Sequence, residues 1–262
     1  MQVDLVALGL CMPGLPDWRS SLSMLRGETP YQAAERLPAP SNLLPPNERR
    51  RAPLAVRLAF AAAEDAMKNG ALDPAQWATV FASSDADTPI IHRISSALAE
   101  TARVVSPTDF HNCVHNAAAG YWGIAALCRL PSSSLSAWDA SFAAGLIEAA
   151  TLAHCERLPV LLVAYDIPPP VPLHATRPIA QPAAVALAIR ASSSHDDAVL
   201  AHMSLRLEAR GADTACTDAA LEALRLGNPA ARALPLLSLL ATAKAGAVLL
   251  PTTSGSLRIS VQ

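Results

Sequence analysis

Four short stretches carry side chains that could do chemistry. Trp138-Asp139 stands where a strand-like run (Ser133–Ala137) breaks into a small-residue helix from Ala140. A strand that turns straight into a buried helix presents a reactive side chain at the helix N-terminus. Cys216, in Thr214-Ala215-Cys216-Thr217, offers a thiol for acyl transfer or thioester hydrolysis. His111, Cys113 and His115 are metal-ligand types at close spacing, with no second cluster elsewhere in the sequence to complete a site. Ser132-Ser133-Ser134 supplies hydroxyls without the Gly-x-Ser-x-Gly setting that a serine hydrolase needs.

Each stretch also has a purely structural account. Asp139 is a favoured N-cap residue, and its carboxylate suits the positive end of a helix dipole whether or not the turn is reactive. Cys216 follows Arg210-Gly211-Ala212-Asp213 rather than an apolar strand, which fits a helix N-terminus capped near Asp213 or Thr214 and running over Ala219–Leu226. The histidines around Cys113 suit a turn or an interface.

The elements that position these residues follow from hydrophobic patterning. Val3–Leu10, Trp77–Ser83, Arg157–Tyr165, Gln181–Ala191 and Val199–Glu208 read as strands, most of them apolar throughout. Helices are expected over Asp17–Arg26, from Pro53 to Asn69, from Thr88 to about Thr101, and within 110–130. Thr29–Pro46 reads as a long irregular connection, and Ser192–Asp197 as a polar turn. The Arg49-Arg50-Arg51 run reads as a solvated surface. Strands alternating with helices predict an α/β fold, a mostly parallel mixed sheet covered by helices.

Composition bounds the function classes. Of 262 residues, 52% are hydrophobic and 16% charged, which predicts a substantial core. A formal net charge of -2 gives no electrostatic case for nucleic acid or an anionic membrane. The most apolar stretch, Leu234–Leu250, is interrupted by Pro235 and Lys244, so no membrane span is expected. Five scattered cysteines and an N-terminus without a basic signal-peptide region predict a cytoplasmic protein with reduced thiols.

The turn at Asp139 resembles the nucleophile elbow of β-ketoacyl synthases, Gly-Pro-x-x-x-(aliphatic)-Ser-Thr-Ala-Cys-x-Ser/Thr. Pro131, Leu135, Ser136, Ala137 and Ser141 fall into that register, and Asp139 stands at the cysteine. Three further stretches carry the likeness: the opening Val6-Ala7-Leu8-Gly9-Leu10 with its following Trp18 helix, the His111–Gly120 turn, and Gln181–Ala191 after Arg177-Pro178. The resemblance implies a thiolase-like N-terminal half over 1–208. It also implies a short remnant, 209–262, packed on the same domain, with the C-terminal half truncated. The family's C-terminal His-Gly-Thr and Lys-x-x-x-Gly-His motifs do not occur.

A ketosynthase-like chain lacking these groups is similar to the chain-length factors of type II polyketide systems, and in its short form to those of aryl polyene synthesis. The likeness implies no catalytic residue and no cofactor. It implies a heterodimer with a full-length β-ketoacyl-ACP synthase, and contact with an acyl carrier protein bearing a phosphopantetheine-bound chain. It assigns Thr88, Ile91 and Ser95 to a chain-length gate, and His111, Asn112, His115, Asn116, Gly120 and Tyr121 to the dimer interface. The alternatives are a free-standing acyltransferase or thioesterase using Cys216, and an acyl-binding or scaffold protein.

Overall fold

The computed structural model describes residues 1–34, 37–192 and 199–262. Eight strands form one sheet: β1 (Gln2–Cys11), β2 (Ala78–Ala82), β3 (Ser132–Leu135), β4 (Val160–Asp166), β5 (Ala183–Ala191), β6 (Ala201–Glu208), β7 (Gly246–Pro251) and β8 (Ser256–Val261). Their order across the sheet is β3-β2-β4-β5-β1-β6-β8-β7.

Only β2 runs parallel to its neighbours, β3 and β4; the other five pairings are antiparallel. The sheet is therefore mixed, as expected, but mainly antiparallel, where the apolar strand pattern predicts mostly parallel strands. Burial on both faces makes β4 and β5 read alike in either direction. The Pro-rich link after β4, which holds one short 3₁₀ turn (Leu173–Ala175) and no α-helix, returns the chain antiparallel beside it.

Helices cover both faces. α3 (Leu54–Asn69) and α6 (Ala117–Ala126) pack on one, with Phe60 and Trp122 meeting edge to face at 5.1 Å. On the other lie α7 (Ser141–Glu156), α8 (Ala219–Gly227), α9 (Leu234–Ala241) and the end of α1 (Trp18–Leu25). The sequence-predicted helices are present, and two short ones join them, α2 (Pro46–Arg51), which contains the arginine run, and α5 (Pro107–Asn112). α4 (Thr88–Ala99) completes the set.

Residues 209–262 extend the sheet. The β7–β8 hairpin docks on β6, and α8 is capped by Asp218, which accepts from the amides of Ala220 and Leu221. The apolar stretch 234–250 is split between α9 and β7, and among the described residues no helix is long and apolar enough to cross a membrane. Apart from Ser192, the polar turn expected over 192–197 lies outside the described residues.

β1 and α3 are locked by polar contacts that the apolar pattern does not announce. β6 pairs with β1 only over Gln2–Leu5, which leaves backbone groups further along β1 to be satisfied otherwise. Asp65 of α3 accepts from the Leu10 amide (3.1 Å) and the Trp18 amide (2.7 Å), while Asn69 donates to the Leu8 carbonyl (3.0 Å).

Candidate functional site

The carboxyl ends of the parallel strands β2, β3 and β4 meet at the elbow, the region where open α/β sheets place their sites. β3 leaves through Ser136 and Ala137 into a 3₁₀ turn, Trp138–Ala140, and α7 begins at Ser141. Trp138 has φ of 55°, a left-handed conformation costly for an aromatic residue. Hydrogen bonds hold it there. Ser141 Oγ accepts from the Ala137 amide (3.0 Å) and donates to the Trp138 carbonyl (2.7 Å), and Ser136 Oγ donates to the Ser84 carbonyl (2.7 Å).

Asp139 does not cap α7, as its position suggested. The N-cap residue is Ala140, without a side-chain cap bond. The 3₁₀ turn puts Asp139 in its middle, and two guanidinium groups draw the carboxylate away from the helix amides. Arg177 Nη1 donates to Asp139 Oδ1 at 2.6 Å, and Arg232 Nη2 lies 3.8 Å from Oδ2. Arg177 also donates from Nε to Asp85 Oδ2 (3.0 Å) and lies 4.0 Å from the centre of the Trp138 ring. One nine-tenths buried arginine thus ties the end of β2 to the elbow by charge-assisted bonds and cation–π contact. A carboxylate so engaged is a poor nucleophile, because attack on a carbonyl would remove it from its counter-ion.

Behind the elbow lies a buried carboxylate. Asp166, at the end of β4, accepts on one oxygen from Ser83 Oγ (3.0 Å), the Ser84 amide (2.8 Å) and Ser84 Oγ (2.8 Å). Asn228 donates to its backbone carbonyl at 3.0 Å, and His115 Nε2 lies 3.0 Å from the Ser83 carbonyl. Burial pushes the Asp166 carboxyl up to about 7 despite these donors.

The folded chain therefore holds a proton on Asp166 that the unfolded chain releases near pH 4. Its contribution is complete below that pH and is lost as pH rises through about 7, with a ceiling of about 4 kcal/mol. Urea melts between pH 5 and 8 should show the wild type losing stability relative to Asp166→Asn as pH rises. Parallel profiles would contradict this.

The expected gate residues share one face of α4. Ile91 and Ser95 are exposed, while Ile90, on the opposite face, is buried. The Thr88 hydroxyl is enclosed without a partner among the described residues. The expected interface residues divide. His111, Asn116 and Gly120 reach the surface, and a methyl group built on Gly120 would meet open space. Asn112 and Tyr121 are interior: Asn112 donates to the Arg51 carbonyl at 3.2 Å, and Tyr121 packs at the edge of the His111 ring. These two, with His115 on Ser83, support that surface from inside rather than form it.

Cys113 Sγ donates to the Phe110 carbonyl, and among the described residues no group of three His, Cys, Asp or Glu side chains is arranged for a metal. Cys216 precedes α8, where burial and the Glu222 carboxylate push its thiol up to about 12. Glu222 also accepts from the Cys216 amide at 2.8 Å. A thiol so placed is protonated at neutral pH, the opposite of an activated nucleophile. Sequence reasoning missed Arg177, Arg232, Asp85 and Asp166. The one signal was Arg177 itself, an isolated charge in the Pro-rich stretch after β4.

The sequence matches the family model for the β-ketoacyl synthase N-terminal domain over residues 24–232. No curated protein sequence matches it. Three solved structures share the fold along nearly its whole length. One is described as ketosynthase ApeO in complex with its chain length factor ApeC from Xenorhabdus doucetiae, with 22% identity, a TM-score of 0.72 and 99% of each chain covered. The ishigamide ketosynthase/chain length factor gives 14% identity and a TM-score of 0.72, covering 100% of this chain and 99% of the other. The AntDE:AntF structure, a type II PKS acyl carrier protein with its ketosynthase bound to the hexaketide, gives 10% and 0.74, covering 99% and 98%. At these identities the structures speak for the fold, which is thiolase-like, and the family match speaks for descent. This chain belongs to the β-ketoacyl synthase N-terminal-domain family.

Proposed function

We propose that this chain is a non-catalytic, chain-length-factor-like subunit that pairs with an active β-ketoacyl-ACP synthase in the cytoplasm and helps shape its acyl or polyene tunnel. One observation carries the reading: Asp139, at the position that the ketosynthase resemblance gives to the nucleophile, is tied to Arg177 beside Trp138. Condensation needs a group that attacks a thioester and leaves again, and an ion-paired carboxylate does neither well. The neighbouring structures described as ketosynthase/chain-length-factor pairs support the assignment of partner. An acyl carrier protein delivering a phosphopantetheine-bound chain belongs to the same reading, with the AntDE:AntF likeness behind it.

The surface agrees with a partner on one side. β3 lies at an edge of the sheet, with no strand beside its outer side among the described residues. Nearby, residues 91–127 expose Ile91, Leu98, Val104, Phe110, Val114, Ile124 and Leu127. Such a concentration favours association. Thr88, Ile91 and Ser95 are the proposed gate, with small Ser95 leaving room for an extended chain. Against the Cys216 alternative, burial and the Glu222 carboxylate outweigh the pull of the Arg225 guanidinium and keep the thiol protonated.

Co-expression with a ketosynthase encoded beside it tests the pairing. The two chains should co-elute in equal amounts, and Ser95→Phe should shorten the product without dissociating them. A monomer that never co-elutes overturns the pairing, and an unchanged product length removes Ser95 from the gate.

A further inference from the structure

Ile90 and Asn112 are 1% and 2% exposed, and none of residues 91–111 between them is buried. That run holds most of α4 and nearly all of α5. Helices as short as these are marginal in water by themselves, and the packing of an apolar face ordinarily supplies what is missing. Here little is supplied. α4 buries Ile90 alone, while Ile91, Leu98, Val104 and Phe110 stay exposed.

The attachments to the rest of the domain sit at the two ends. Asp87 caps α4 by accepting from the Ile90 amide at 3.1 Å. Asn112 holds the other end on the Arg51 carbonyl, beside the contact of the His111 and Tyr121 rings. In between, Arg93 donates to Asp109 from Nε (3.1 Å) and Nη2 (2.7 Å). This pair ties α4 to α5 rather than to the sheet, and an ion pair so open to water contributes little. The link between the two helices puts Arg103 at φ of 49°, a conformation that costs energy for a residue with a Cβ and is released on opening. Few buried contacts and a solvated backbone mark a segment that opens without the rest of its domain.

We propose that residues 91–111 form an arm that opens by itself in the isolated chain and is closed by the ketosynthase, so that the gate face of α4 is fixed only in the pair. The closing rests on the function proposed above; the opening does not. A partner that covers Ile91, Leu98, Val104 and Phe110 binds the closed arm better than the open one, and so shifts the equilibrium toward it. Ile91 and Ser95 of the proposed gate both lie on the arm.

Hydrogen exchange followed by mass spectrometry, on the full chain alone and paired, tests both halves. In the lone chain, amides of 91–111 should be about a hundredfold less protected than those of α3. Arg93→Ala should speed their exchange about two- to fivefold and leave α3 and α7 unchanged. Pairing should slow exchange across 91–111 by about tenfold or more. Protection in α4 equal to that in α3, or an Arg93→Ala effect spread evenly over the domain, would overturn the independent opening. A pair in which 91–111 exchanges as in the lone chain would overturn the closing. A chain that never pairs sinks the proposed function and the closing together, while the comparison of α4 with α3 in the lone chain still decides the opening.

Discussion

Gly9→Ala is expected to abolish the folded state, or to lower stability by more than about 4 kcal/mol, the range reserved for severe core lesions. A methyl group on Gly9 would lie 2.3 Å from the Ala62 carbonyl oxygen and 2.3 Å from the Ala66 amide nitrogen. Both are backbone atoms of α3, so no side-chain rotation relieves the clash. α3 would have to move off β1, and with it the Asp65 and Asn69 bonds that complete β1 beyond its pairing with β6. Gly123→Ala is the control. It sits in α6, and its added methyl would meet nothing within 4 Å. It should be neutral or stabilise by about 0.5–1 kcal/mol through helix propensity. Thermal melts compare the two, and a Gly9→Ala protein melting within a few degrees of wild type would refute the close approach.

Arg177→Ala should cost about 2–3 kcal/mol. Truncating one partner of a buried ion pair costs about 3–5 kcal/mol because the remaining charge is stranded, and a partly exposed partner reduces that. Asp85 is well covered and would be stranded, whereas Asp139 is 47% exposed and regains water. The Trp138 ring would also lose the guanidinium beside it, in a turn that already holds an unfavourable φ. Arg177→Lys should recover little, because a single ammonium cannot reach Asp85 and Asp139 with the spread of a guanidinium. A double-mutant cycle with Asp139→Asn isolates the bridge, and a coupling near zero would show that the two residues do not act together.

The elements that patterning reveals are those whose burial is local to their own sequence. β1, β2, β4 and β5 announce themselves as apolar runs, and α8 by the apolar residues of 219–226, although its cap is Asp218 and not the expected Asp213 or Thr214. Strand direction is not carried by such runs, so the antiparallel β4–β5 pairing was out of reach. The β7–β8 hairpin was hidden because 234–250 reads as one apolar stretch. In the fold, the turn at Ala243, with φ of 51°, ends the helix and releases the strand.

At the site, the place of Asp139 could be read from the elbow pattern, and its partner could not. Arg177 lies 38 residues on, in a stretch with no periodicity, and its pairing with Asp85 spans 92 residues. Only the folded sheet, which brings the ends of β2 and β3 side by side, makes those three residues one group.

Whether this chain is ever acylated is the most direct question to put to the proposed role. The chain and its co-purified ketosynthase should be incubated with an acyl-carrier-protein thioester and the intact mass of each subunit measured. The acyl group should appear on the ketosynthase cysteine alone, with the mass of this chain unchanged. A stoichiometric acyl adduct on this chain, at Asp139 or at Cys216, would contradict a non-catalytic role.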